Sequence, residues 1–141
     1  MKTSARNEFA GVVKSLIKGA INTEVILDIG GTEIVSIVTH DSIDALGLSV
    51  GKAAYALIKA PWVIVTRADS NLKISARNKL CGTVDELIEG AVNSEVIIGI
   101  NEGKRIAAIV TNESAKGLDL KKGTAVCAHI KASHIILAVE A

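Results

Sequence analysis

The chain is written twice. Ser4-Ala5-Arg6-Asn7 recurs as Ser75-Ala76-Arg77-Asn78, Gly11-Val12-Val13 as Gly82-Thr83-Val84, and Glu24-Val25-Ile26 as Glu95-Val96-Ile97, all at an offset of 71. The offset then becomes 72, pairing Ile37-Val38-Thr39 with Ile109-Val110-Thr111, Gly51 with Gly123, and Ile58-Lys59-Ala60 with Ile130-Lys131-Ala132. The extra residue falls at Gly30-Gly31 against Asn101-Glu102-Gly103. These are turn residues, where an insertion leaves the faces of the flanking strands unchanged. A fold for this chain must therefore be built from two similar modules of about 70 residues, a size at which one core leaves little net stability.

Within each module the apolar period is two. Phe9–Ile17, Ile21–Ile29, Glu33–Thr39, Lys52–Lys59 and Trp62–Thr66 read as strands rich in Val and Ile, with glycines between them. The exception is His40–Gly47, where Thr39 is a cap, Asp41 lies in the first turn and Gly47 stands at the end. That pattern predicts one or two helical turns, and Thr111–Gly117 repeats it. The expected architecture is all-β with one short helix per repeat: two tandem OB-like, five-stranded antiparallel β-barrels over 1–67 and 73–141, joined by a linker at about 68–72.

Hydrophobic residues make up 49% of the chain and aromatics only 2%, so the core is expected to be aliphatic. A single Phe, Tyr and Trp with a net charge of +1 provide neither the stacking platform nor the basic groove that nucleic acid needs. The start MKTSARNEF has no apolar signal region and no stretch reaches a membrane-span length, which predicts a soluble cytoplasmic protein. Cys81 and Cys127 lie in apolar surroundings at unmatched repeat positions, without a C-x-x-C partner, and are expected to be buried free thiols. His40, His129 and His134 share no ligand spacing, so no metal-cation site is expected.

Three polar elements recur. If the segment is extended, Ser4 and Arg6 share a face, as do Ser75 and Arg77, and a hydroxyl beside a guanidinium can grip an oxyanion. Thr39 with Ser42, and Thr111 with Ser114, stand where a helix begins and backbone N–H groups lack partners. Lys59 and Lys131 fall inside an aliphatic strand pattern, where desolvation asks for an opposite charge. Each element also reads as ordinary: an exposed terminus, a helix cap, a solvent-facing strand position. The residues alone leave both readings open. The recurring groups are donors and cations without a nucleophile–base pair, which points to binding and away from catalysis.

The strings SARN, G-A-x-N-x-E-V, I-V-T-x-x-S, G-L-x-L-x-x-G and I-K-A, in this order and spacing, resemble the molybdate-binding Mop (molbindin, TOBE-type) domain over nearly the whole chain, twice. The resemblance to di-Mop molbindins implies molybdate or tungstate as bound ligand, no catalytic cofactor, and a homo-oligomer, a trimer, with the anions at subunit interfaces. It implies that Ser4, Arg6, Lys59 and Ala60 face Thr39 and Ser42, and that Ser75, Arg77, Lys131 and Ala132, followed by Ser133, face Thr111 and Ser114. A second, weaker type of anion site is implied at Gly19, Ala20, Ile21 and Asn22 and at Gly90, Ala91, Val92 and Asn93. The first repeat departs from the family pattern at Lys59-Ala60-Pro61, where proline removes a backbone donor. The implied role is molybdenum storage, buffering or homeostasis. The alternative is a sensor or accessory subunit passing oxyanion status to a transporter or regulator.

Overall fold

The computed structural model describes residues 3–141. The strands run β1 (Asn7–Lys18), β2 (Asn22–Asp28), β3 (Glu33–Thr39), β4 (Ala53–Ile58), β5 (Ile64–Arg67), β6 (Asn78–Glu89), β7 (Asn93–Gly99), β8 (Arg105–Thr111), β9 (Ala125–Ile130) and β10 (Ile136–Ala138). Helices α1 (His40–Leu46) and α2 (Asn112–Gly117) follow β3 and β8, and short 3-10 turns cover Ala60–Trp62 and Ala132–His134. Five strands and one helix per repeat match the alternation. The pairing does not follow the repeats.

The strands form two five-stranded antiparallel sheets, in the orders β10-β4-β1-β2-β3 and β5-β9-β6-β7-β8. Each sheet takes its edge strand from the other repeat. The first compact unit holds the chain up to Ile58 together with Lys131–Ala141, and the second holds Lys59–Ile130. Boundaries drawn from the repeat, at 1–67 and 73–141, thus differ from the units that pack. The reason is physical: β5 and β10 have near-identical apolar patterns, and alternation sets which face is buried, not which neighbour is paired.

The first unit's core is aliphatic, with Val13, Val25, Leu27, Ile34, Ile58 and Ile135 fully buried beside Phe9. Each such side chain contributes about 1.5–3 kcal/mol relative to exposure. Ser36 on β3 donates to the Ile135 carbonyl at 2.9 Å, a buried bond that ties the β3 edge to the segment entering β10. The second unit buries Val84, Val96, Ile98, Ile106, Val126 and Ile130, and carries Ala108 where the first has Ser36.

The twelve-residue strands β1 and β6 are kinked by register shifts at Val13/Ser15 and Val84/Glu86, which lets one strand serve both sides of its sheet. Just before each shift is a glycine. A Cβ on Gly82 would lie 1.8 Å from the Gly99 carbonyl oxygen, and one on Gly11 would lie 2.6 Å from that of Asp28. Helix α1 ends as expected, with Gly47 left-handed at φ 61. In α2 Gly117 stays helical, and the left-handed residue is Asp119 at φ 50.

One expectation fails at Cys81 and Cys127. They are directly opposite each other in the β6–β9 register and form a disulfide, their Cα atoms 3.9 Å apart; Cys81 is exposed and Cys127 buried. The repeat conceals this, because their counterparts in the first unit are Ala10 and Tyr55, which also pair.

Candidate functional site

The T-x-x-S motif forms the same small hydrogen-bonded device in both units. Thr39 caps α1 by accepting from the Ser42 backbone N–H at 3.1 Å, while its hydroxyl lies 2.9 Å from that of Ser42. In α2 Thr111 accepts from the Ser114 N–H at 3.1 Å and donates its own proton to Ser114 Oγ at 2.8 Å. In α2 the threonine's proton thus goes to the serine, whereas in α1 either hydroxyl can be the donor. What remains at Ser114 is the serine's own proton. The device converts a helix cap into a hydroxyl donor.

In the first unit Thr39 and Ser42 line a cavity of about 450 Å³. Its other polar walls are Asn22, at the start of β2, and Ser133, in the turn that leads into β10; Leu46 and Ile135 supply apolar surface. Ser133 arrives because the Ala132–His134 turn packs against β3, a consequence of the exchanged edge strand. In the second unit it is the Ala60–Trp62 turn that packs against β8, the strand ending at Thr111. Within one chain the grouping therefore differs from the one that the resemblance implies at interfaces between subunits. Ala132 and Ser133 accompany Thr39 and Ser42, whereas Lys59, Ala60 and Pro61 belong to the unit of Thr111 and Ser114.

The lysines are not buried in strands. β4 ends at Ile58 and β9 at Ile130, so Lys59 and Lys131 are the exposed first residues of the turns, and the desolvation argument for them does not hold. Lys59 Nζ sits 5.4 Å from the centre of the Trp62 ring, within cation–π range. Ala60 and Ala132 are buried beneath them.

The SARN strings also differ from the extended reading. Ser4 and Ser75 are exposed outside any strand, Arg6 and Arg77 are exposed at bends, and the strands begin at the asparagines. Those asparagines are the residues that sequence reasoning missed. Asn7 donates its side-chain N–H to the Ile58 carbonyl at 3.2 Å, and Asn78 does the same to Ile130 at 3.3 Å; both are buried. Each fastens its SARN string beside the residue that precedes a lysine. The signal was the recurrence of Asn itself, since a bare Ser/Arg anion grip would not need it.

The G-A-x-N strings are the β-hairpin turns between β1 and β2 and between β6 and β7. Gly19 and Gly90 donate to the carbonyls of Asn22 and Asn93 at 2.8 Å, and a Cβ on either glycine would come within 3 Å of those oxygens. Turn geometry accounts for the glycines. Ala20, Ile21, Ala91 and Val92 are exposed at the tips, and Gly90 and Asn93 line a shallow cavity of about 370 Å³ with Glu95. In the second unit Asn112 braces this turn, donating to the Gly90 carbonyl at 3.0 Å and accepting from Ser94 at 2.6 Å. The first unit has His40 in that place, its Nε2 buried without a hydrogen-bond partner.

Among the described residues no group of His, Cys, Asp and Glu could hold a metal ion, and no helix is long and apolar enough to cross a membrane. His129 is buried, hydrogen-bonded through Nε2 to Thr66 Oγ1 at 2.8 Å, and held below its ordinary pKa first by burial and then by the charge of Lys79.

The sequence profile of the TOBE domain matches residues 3–65 and again 74–137. The chain belongs to the TOBE-domain family. The crystal structure of ModG, a cytoplasmic molybdate-binding protein with molybdate bound, superposes with a TM-score of 0.94 at 44% identity, covering 99% of this chain and 100% of that one. The molybdenum transport protein ModE of Azotobacter vinelandii is 42% identical over 140 residues, 99% of this chain and 52% of its own length. The molybdenum-pterin-binding protein MopA of Rhodobacter capsulatus is 38% identical over 140 residues, 99% of this chain and 53% of its own. This TOBE pair thus spans about half the length of the curated relatives it matches.

Proposed function

We propose that this TOBE pair is a non-catalytic oxyanion-binding protein that takes up molybdate and tungstate, serving cytoplasmic storage and buffering of molybdenum. The observation that carries the reading is the convergence of three hydroxyls, Thr39, Ser42 and Ser133, with Asn22 on one cavity of about 450 Å³, in a fold that superposes closely on a protein with molybdate bound. A tetrahedral dianion presents four oxygens and needs several donors plus compensating positive charge. Hydroxyl donors line the cavity, and the exposed Lys59 and Lys131 each follow their T-x-x-S threonine by 20 residues, while the exposed Arg6 and Arg77 precede it by 33 and 34. Charge-assisted hydrogen bonds of this kind are short and roughly twice as strong as neutral ones. Sulfate has the same charge and shape, so discrimination rests on cavity size.

The lining of that cavity holds no lysine or arginine, and a second copy is the expected source of the positive charge. Ile17 and Ile21 in the first unit and Ile88 and Val92 in the second are 55%, 80%, 46% and 71% exposed at corresponding positions. Repeated apolar exposure of this kind suits burial against further copies, in a homotrimer with the oxyanions at its interfaces. Isothermal titration with molybdate and tungstate, against sulfate, phosphate and zinc, tests the ligand. Heat from the first two alone is expected, and heat from zinc without any from molybdate would overturn the reading. Light scattering with molybdate present tests the assembly, which a monomer of 14.7 kDa would contradict.

A further inference from the structure

The Cys81–Cys127 bridge is placed asymmetrically toward solvent. Cys81 lies on an exposed position of β6, whereas Cys127 on β9 is 5% exposed. Residues two apart along a strand share a face, so Lys79 stands beside Cys81 and His129 beside Cys127; Lys79 and His129 are themselves opposite each other in the register. Thr66 of β5 faces Cys127 from the other side and holds the His129 ring through Nε2. One sulfur can therefore be reached by an incoming thiol, next to an ammonium group, while the other is enclosed by a neutral polar pair.

We propose that Cys81–Cys127 is a thiol–disulfide exchange site, opened at Cys81 by a dithiol reductant. The thiolate of the reductant attacks Cys81 Sγ, forming a mixed disulfide, and the electron pair of the broken bond leaves on Cys127 Sγ, which takes a proton from water. The reductant's second thiolate then attacks its own sulfur in the mixed disulfide and releases Cys81 beside Lys79 as a thiolate, which in turn takes a proton from water. Two electrons and two protons pass in all: the protein gains two thiols and the reductant becomes a disulfide. The Lys79 ammonium favours both the approach of the anionic nucleophile and the released thiolate.

The bridge closes a span of 46 residues that contains β7, β8 and α2, hence Thr111 and Ser114. The first unit, with Ala10 and Tyr55 at the matching positions, has no such closure. Reduction therefore loosens one unit and leaves the other as it was.

The test follows the thiols directly and contains no oxyanion, so its outcome is separate from that of the molybdate reading. Native full-length protein is exposed to glutathione, quenched with an alkylating agent and mapped by peptide mass. Glutathione is expected on Cys81 in at least about tenfold excess over Cys127, because access selects the attacked sulfur. K79Q is expected to slow the exchange by about three- to tenfold, and added salt to slow the parent but not this variant. Equilibration with dithiothreitol is expected to open both cysteines in a single two-electron step and to lower the unfolding midpoint by about 5–15 °C. C81A/C127A is expected to show the lowered midpoint with or without reductant. The proposal is overturned by free thiols in protein purified without reductant, by a bridge inert until denaturant is added, or by adducts mainly on Cys127.

Discussion

A hydroxyl that caps a helix and one that binds an anion differ in where their protons go. Thr39 and Thr111 accept from the backbone N–H of Ser42 and Ser114, so changing either to Val removes a cap and is expected to cost about 1 kcal/mol of stability in chemical denaturation. Ser114 keeps a proton free, and so does Ser42 when Thr39 is the donor between the two hydroxyls. Ser42→Ala and Ser114→Ala are therefore expected to change stability by no more than about 0.5 kcal/mol. The same variants should weaken molybdate binding roughly ten- to hundredfold, the worth of a hydrogen bond to a charged group. Calorimetric binding unchanged in both serine variants would remove these hydroxyls from the proposed site. His129 adds a pH dependence of the fold itself. Burial, followed by the charge of Lys79, holds its pKa below the ordinary 6.5, so on acidification the unfolded chain takes the proton before the folded one does. Its stabilising contribution is complete above pH 6.5 and is lost as the pH falls below that value toward the lowered pKa of the folded state. H129Q retains a partner for Thr66 without titrating. Its unfolding midpoint is expected to decline less than the parent's between about pH 7 and pH 5.

Among the elements, glycines separate close backbone approach from spare room. Gly82 stands before the kink in β6 with the Gly99 carbonyl where a Cβ would go, and backbone cannot rotate away as a side chain can. Gly82→Ala is expected to cost at least about 2 kcal/mol. Gly117, inside α2, has nothing within 4 Å of its Cβ position and no positive φ, so Gly117→Ala should add about 0.5–1 kcal/mol. Urea unfolding of the two variants checks the opposite signs. The elements themselves were largely legible, because alternating Val and Ile mark strands, and Thr39 with Gly47 marks both ends of α1. What alternation does not carry is partner choice. Val65 and Leu137 are buried by the same kind of apolar strand, and nothing in either string says which β4-type neighbour it joins. The same limit hid the place of the lysines. Ile-Lys-Ala reads as strand interior until the turns at Ala60 and Ala132 end the ladder one residue earlier. It also hid the disulfide, since Cys81 and Cys127 become neighbours only once β6 and β9 are in register.

For the molecule as a whole, exchanged edge strands mean that a repeat and a folding unit are different objects. If each sheet were built from its own repeat, ending the chain after Ile130 would damage the sheet of β6–β9. With the pairing observed, that sheet keeps all five strands, β5 included, and the loss falls on the other end of the sequence. The first unit would lose β10, the buried side chains of Ile135 and Leu137, and the acceptor of the buried Ser36 hydroxyl. Burying an aliphatic side chain contributes about 1.5–3 kcal/mol. A buried donor left unsatisfied costs a further ~1–3 kcal/mol. Losses of that size are a large fraction of the stability of any small unit, commonly about 5–15 kcal/mol for a whole domain. Hydrogen exchange followed by mass spectrometry on a chain ending at Ile130 is therefore expected to lose amide protection over β1–β4, more than 70 positions before the cut, while β6–β9 remain protected. Loss confined to β6–β9, with β1–β4 intact, would show that the sheets follow the repeats after all.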